Sequence, residues 1–81
     1  MDLLAIETGK WVRLVRFHGG QSLDQKMRNL GMLPGDCARV VRHAPFDGPV
    51  LLEIGGREVA LGRGVAAKIE VEECPPPCDS P

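Results

Sequence analysis

Leu30-Gly31-Met32-Leu33-Pro34-Gly35-Asp36 is the stretch on which the reading of this 81-residue chain turns. Leu30 closes a run of apolar residues at helical spacing. Gly31 stands where helices end in a left-handed residue, a conformation that penalises a Cβ. Met32 follows as the apolar residue that folds back on such a cap. Pro34-Gly35 suits a type II turn, with Pro fixing φ at the second position and Gly supplying a positive φ at the third. Asp36 then leads into an apolar run, Cys37 to Val41. A helix stop, a hydrophobic plug and a tight turn together set the direction in which the chain enters a sheet.

Upstream of this hinge, Ser22 suits an N-cap, and Gln25 three positions later completes a capping box. Leu23, Met27 and Leu30 fall at i, i+4 and i+7, one stripe of an amphipathic helix, with Lys26, Arg28 and Asn29 on the outer side. Lys10 to Phe17 reads as the first full strand. Val12 and Leu14 share one face and Trp11, Val15 and Phe17 the other, as in a strand that curls within a small barrel. His18-Gly19-Gly20 ends it, and Leu3, Leu4 and Ile6 form an apolar lead-in.

Downstream, Cys37 to His43 is a strand with Val40 and Val41 adjacent. Ala44-Pro45-Phe46-Asp47-Gly48-Pro49 is a loop with Gly48 at its turn. Val50–Ile54 and Arg57–Leu61 are two β-prone runs joined by Gly55-Gly56, the signature of a two-residue primed hairpin turn. Gly62-Arg63-Gly64 breaks the second run, Val65 to Lys68 suits a single helical turn, and Ile69 to Glu72 alternates as a closing strand. The sum is a mainly β fold: a small, curled antiparallel barrel of about five strands, with one short helix inserted after the first strand. Residues 1–72 form the folded domain, and 73–81 a flexible tail containing Cys74-Pro-Pro-Pro-Cys78.

Composition bounds the function. With 43% apolar residues the chain supports a core, near the lower size limit for an unassisted one. No Tyr, one Trp and two Phe leave that core to Val, Leu and Ile. A net charge of −1 gives no broad electrostatic reason to bind nucleic acid or anionic lipid. No apolar run approaches the roughly 20 residues that span a bilayer. Three cysteines and no basic-then-apolar leader at Met1-Asp2 point to a cytoplasmic protein with reduced thiols.

The order of these motifs is familiar: strand, Gly-Gly, helix, Leu30-Gly31-Met-Leu-Pro34-Gly35-Asp, strand, Ala44-Pro45-Phe-Asp-Gly48-Pro49, hairpin, Ala60-Leu61-Gly62, then Ala66-x-x-Ile69-x-Val71. It resembles the FeoA family, small proteins that accompany the ferrous iron permease FeoB, over roughly Leu3 to Glu72. The resemblance implies an SH3-like barrel, no catalysis, and support of Fe²⁺ uptake by direct contact with the cytosolic part of the permease. Recruitment to the inner membrane would then come through that partner. Three departures stand out: Lys26 where an Arg is usual, Gly62-Arg63-Gly64 in place of a more charged run, and the Cys-bearing tail. The same barrel resembles the C-terminal domain of iron- and manganese-dependent repressors, which makes a regulatory domain the alternative reading, although no helix-turn-helix region accompanies it.

Enzyme chemistry fails for want of parts. Ser22 and Ser80 are the only serines, Cys37 lies within a predicted strand, and nothing marks a base with an orienting group. No Gly-rich segment ends in Gly-Lys-Ser/Thr, so nucleotide hydrolysis would belong to another chain. Cys74 and Cys78, with His18 and His43, are candidate metal ligands, weighed against an exposed Pro-rich tail and two loop histidines; thiolates favour Zn²⁺ over Fe²⁺. No cofactor is required, and a small metal chaperone is the reading that stands or falls with those thiols. Met32, Leu33, Pro45, Phe46 and Pro49 are the expected partner-binding patch, weighed against ordinary turn packing, with Phe46 the foremost candidate. Arg13, Arg16, Arg39 and Arg42 are expected on one outer stripe, either a solvated face or a dock for acidic loops. Homodimerisation is left open.

Overall fold

The computed structural model describes residues 1–75. Seven elements follow a 3₁₀ turn at Leu3–Ala5: β1 Trp11–Phe17, α1 Gly20–Asn29, β2 Cys37–His43, β3 Val50–Ile54, β4 Arg57–Leu61, α2 Arg63–Ala66 and β5 Ile69–Glu73. All five strands lie in one antiparallel sheet in the order β4-β3-β2-β1-β5. The expected mainly β barrel with a helix after the first strand is what forms. α2 begins two residues earlier than the helical turn expected at Val65–Lys68. β5 runs through Glu73, and the Cys74 amide donates to the Trp11 carbonyl at 3.1 Å. The ordered ladder therefore continues past residue 72, and Cys78 lies outside the described residues.

Two irregularities bend the sheet. The β1–β5 register shifts between Leu14 and Arg16, and the β2–β3 register shifts between Val40 and Arg42. Each leaves one extra residue, Val15 or Val41, and an extra residue increases local twist and reverses which face later side chains take. That is why Phe17, on the outer face by simple alternation, pairs with Ile69 and packs against the core. The adjacent Val40-Val41 pair has the same origin.

The core runs through the inner faces of all five strands and takes Leu23 and Met27 from α1, Met32 from the hinge, and Leu3 and Ile6 from the lead-in. Leu3, Met27, Met32, Val12, Val40, Val50 and Leu52 are fully enclosed. Cys37 is buried but lies outside this cluster. It pairs with Arg13 in the β1–β2 ladder. Cys37 and Cys74 are both disulfide-bonded, and no described cysteine is free, which corrects the expectation of reduced thiols.

The hinge closes as a Schellman motif. The Gly31 amide donates to the Arg28 carbonyl and the Met32 amide to the Met27 carbonyl, both at 2.9 Å. Gly31 has φ +75°, and Met32 is buried against the core. The turn that follows has Gly35 at φ +97°, with the Asp36 amide donating to the Leu33 carbonyl at 3.1 Å and the Asp36 carboxylate accepting from the Leu33 amide at 2.9 Å. The other end of α1 departs from expectation. Its N-cap is Gly19, with no side-chain cap, and Ser22 sits inside the first turn. The chain enters through Gly19-Gly20, where a Cβ on Gly19 would meet Leu23 Cβ at 2.7 Å. Glycine freedom at the entry, with Leu23 packed over it, replaces the hydroxyl cap.

Arg57 at the start of β4 donates to the Leu30 carbonyl at 2.5 Å, tying the helix end to the β3–β4 hairpin. A Cβ on Gly31 would meet that guanidinium. Gly31→Ala is therefore expected to cost about 1–2 kcal/mol from the left-handed backbone and to displace Arg57 as well. In chemical denaturation the cost should be smaller in an Arg57→Ala background; equal costs in both backgrounds would contradict the coupling.

Candidate protein-contact surface

The Ala44–Pro49 loop is narrower and stiffer than its composition suggests. The Gly48 amide donates to the Pro45 carbonyl at 3.1 Å, and the Ala44 amide to the Pro49 carbonyl at 3.0 Å. Between them Phe46 and Asp47 both have positive φ, at 58° and 57°. Such a conformation is tolerable for Asp and uncommon for a bulky residue. A Cβ on Gly48 would lie 2.9 Å from Ala44 Cβ and 3.0 Å from the Pro45 oxygen, so the turn closes only around glycine. The result lifts Phe46 clear of the barrel at 99% exposure. Arg63 Nε lies 3.8 Å from the Asp47 carboxylate and links the loop to α2.

The five expected contact residues divide. Phe46, Pro45 and Pro49 are exposed on this loop, and Leu33 is half-exposed on the hinge turn. Met32 is corrected: it has no exposed surface, because the cap that ends α1 turns its side chain inward. A buried Met cannot form a docking patch, and its truncation would cost about 2–5 kcal/mol of stability.

The expected arginine stripe is also revised. Arg13 lies 4.0 Å from Glu72, Arg16 lies 3.6 Å from Glu70, and Arg39 lies 3.5 Å from Glu53. These are cross-strand pairs, Arg13 and Arg16 facing β5 and Arg39 facing β3. Three of the four arginines thus stand in a ladder of opposite charges, and Arg42 is exposed near the end of β2. Exposed pairs of this kind contribute little stability each.

The histidines sit apart in role. His43 ends β2, and its Nε2 lies 2.7 Å from the Ile6 carbonyl, which it satisfies when it carries the proton. His18 Nε2 lies 2.8 Å from the Glu70 carboxylate. In its disulfide Cys74 offers no thiolate, the form of sulfur that binds metal. Among the described residues no group of three His, Cys, Asp or Glu is placed to hold a metal ion.

The FeoA domain model matches residues 1–73. The chain belongs to the FeoA family. A putative Fe(2+) transport protein A from Methanocaldococcus jannaschii is 32% identical over 65 residues, covering 80% of this chain and 77% of that protein. The Fe(2+) transport protein A/Fe(2+) transporter FeoB fusion protein of Porphyromonas gingivalis is 36% identical over 72 residues, 89% of this chain and 8% of the fusion. The chain thus corresponds to a small part of that relative's length. A crystal structure of an iron uptake regulatory protein, FeoA, superposes with a TM-score of 0.82 at 27% identity, covering 91% of this chain and 96% of that one. The zinc-bound ScaR structure matches with a TM-score of 0.85 at 24% identity, over 91% of this chain and 37% of its own, and shares the SH3-like fold. No helix among the described residues of this FeoA-family chain is long and apolar enough to cross a membrane.

The His18–Glu70 pair sets a pH dependence. The hydrogen bond from His18 holds the Glu70 carboxyl below the ordinary 4.5, with Arg16 adding to the effect and partial burial opposing it. A carboxylate lowered in the folded state stabilises the fold above its unfolded value and loses that contribution as pH falls through the folded value. Thermal melts of wild type and Glu70→Gln should therefore differ most near neutrality and converge below pH 4.5. A difference that stays constant into acid would contradict this assignment.

Proposed function

We propose that this chain is a cytoplasmic, non-catalytic accessory of ferrous iron uptake, acting by direct contact with the cytosolic part of an FeoB-type permease. Membership of the FeoA family and the occurrence of a related segment joined to FeoB in one relative support association of the two. The observation that carries the contact itself is Phe46: a fully exposed aromatic on a turn whose positive φ angles and closed hydrogen bonds hold it outward. Exposed apolar surface that the fold does not need is surface available to a partner. A stiff presentation also loses little entropy on docking.

In this reading the protein binds one conformational state of the permease better than another, and the difference in affinity shifts the equilibrium between them. Fe²⁺ is cargo of the partner, and no resident cofactor is needed. The ScaR likeness extends to the fold alone and brings no DNA-reading element to the described residues.

Phe46→Ala should leave the unfolding transition within about 0.5 kcal/mol of wild type, as for an exposed position. It should weaken binding to the purified cytosolic part of the permease by about tenfold or more, the loss expected of an aromatic anchor. Equal affinities of mutant and wild type in titration calorimetry would remove this role for the loop.

A further inference from the structure

A second feature lies between α1 and the far end of β1. It is a cleft of about 300 Å³ lined by Arg16, Phe17, Asp24, Arg28, Leu33 and Pro34. Phe17, Leu33 and Pro34 give it an apolar lining, and Leu33 is the half-exposed residue of the hinge turn. Two guanidinium groups, from Arg16 and Arg28, stand against the single carboxylate of Asp24. The site therefore suits an apolar side chain with an adjoining negative charge. A guanidinium can offer such a carboxylate two parallel hydrogen bonds.

The protein itself carries that combination. Phe46 and Asp47 are consecutive at the loop tip, the phenyl group 99% exposed and the carboxylate-bearing side chain 91% exposed. We propose that the Phe46–Asp47 tip of one copy seats in the Arg16–Arg28 cleft of a second copy. None of the cleft residues belongs to the Ala44–Pro49 loop, so the two surfaces are different and the contact runs head to tail. A contact of that kind closes into a ring or extends as a chain.

The competing interactions within one copy are weak. Arg16 lies 3.6 Å from Glu70 and Arg63 lies 3.8 Å from Asp47, both through Nε and both in pairs with exposed members. Exchanging such pairs for intermolecular ones costs little. The fixed positive-φ turn presents phenyl and carboxylate together without ordering a loose segment. One small tip in one small cleft makes a low-affinity contact, at the transient end of the range of protein interfaces.

The proposal stands apart from the permease reading, because Arg16→Glu with Arg28→Glu leaves the Phe46 loop intact for the permease while removing the cleft. Sedimentation velocity on the full chain, from about 10 μM to about 1 mM, reads it directly. Wild type should gain mass above the monomer as concentration rises. Phe46→Ala alone, and Arg16→Glu with Arg28→Glu alone, should each associate at least tenfold more weakly. Mixed in equal amounts, the two variants should form a 1:1 dimer, since one supplies the cleft and the other the tip. Melting curves establish that both are folded; should the double-glutamate variant not fold, Asp47→Lys takes its measure from the tip side, with the same tenfold loss expected. A monomeric wild type, association untouched by the variants, a mixture that behaves like its separate components, or association abolished by a thiol reductant would each overturn the proposal.

Discussion

The amide of Met32 bonded to the carbonyl of Met27 fixes the arrangement of everything around it. α1 has ten residues, fewer than the roughly 12–15 at which an isolated helix becomes marginal in water. Its position depends on packing, and both methionines of this bond are fully buried. Burying a side chain of that size contributes about 1.5–3 kcal/mol. The left-handed Gly31 makes the reversal possible, and Arg57 fastens the same helix end to the β3–β4 hairpin. With the helix end fixed, the turn at Pro34-Gly35 delivers β2 into register with β1. The Gly35 amide itself bonds to the Leu14 carbonyl at 2.7 Å, so the turn extends the β2–β1 ladder rather than forming a loose connection.

Curvature does the rest. A flat five-stranded sheet could not enclose the inner residues of β1, β2 and β3 together. The extra residues Val15 and Val41 bend β1 and β2 where they meet β5 and β3. Along these strands the outer face carries Arg–Glu pairs and the inner face stays apolar. Among the described residues no buried polar side-chain atom lacks a partner, so the core carries no unpaired polar group.

Local chemistry made much of this readable from the residues. The helix stripe of Leu23 and Met27, the Gly31 stop, the Pro34-Gly35 turn and the Gly55-Gly56 hairpin are each decided within a few neighbours, and the structure has them. What was not readable depends on residues far away in the chain. Ser22 fits a capping pattern, but Leu23 packing over Gly19 starts the helix earlier. Strict alternation put Phe17 outside because a bulge is visible only once the partner strand is known. The arginines looked like a basic stripe because Glu53, Glu70 and Glu72 reach them only through strand pairing. Phe46 between Pro and Asp-Gly signalled exposure correctly, whereas Met32 carried two readings, cap contact and surface patch, that only the fold separates. The cleft between α1 and β1 had no signature at all, since its lining comes from two elements and the hinge.

The central claim is that the Met27–Met32 reversal belongs to the cooperative core and is not a flexible connection. Native-state hydrogen exchange at the Met32 amide tests it most directly. If the claim holds, that amide exchanges only through global unfolding, at the same free energy as the Val40 and Leu52 amides in the central strands. Exchange several kcal/mol more readily than those strands, with the barrel still folded, would contradict it.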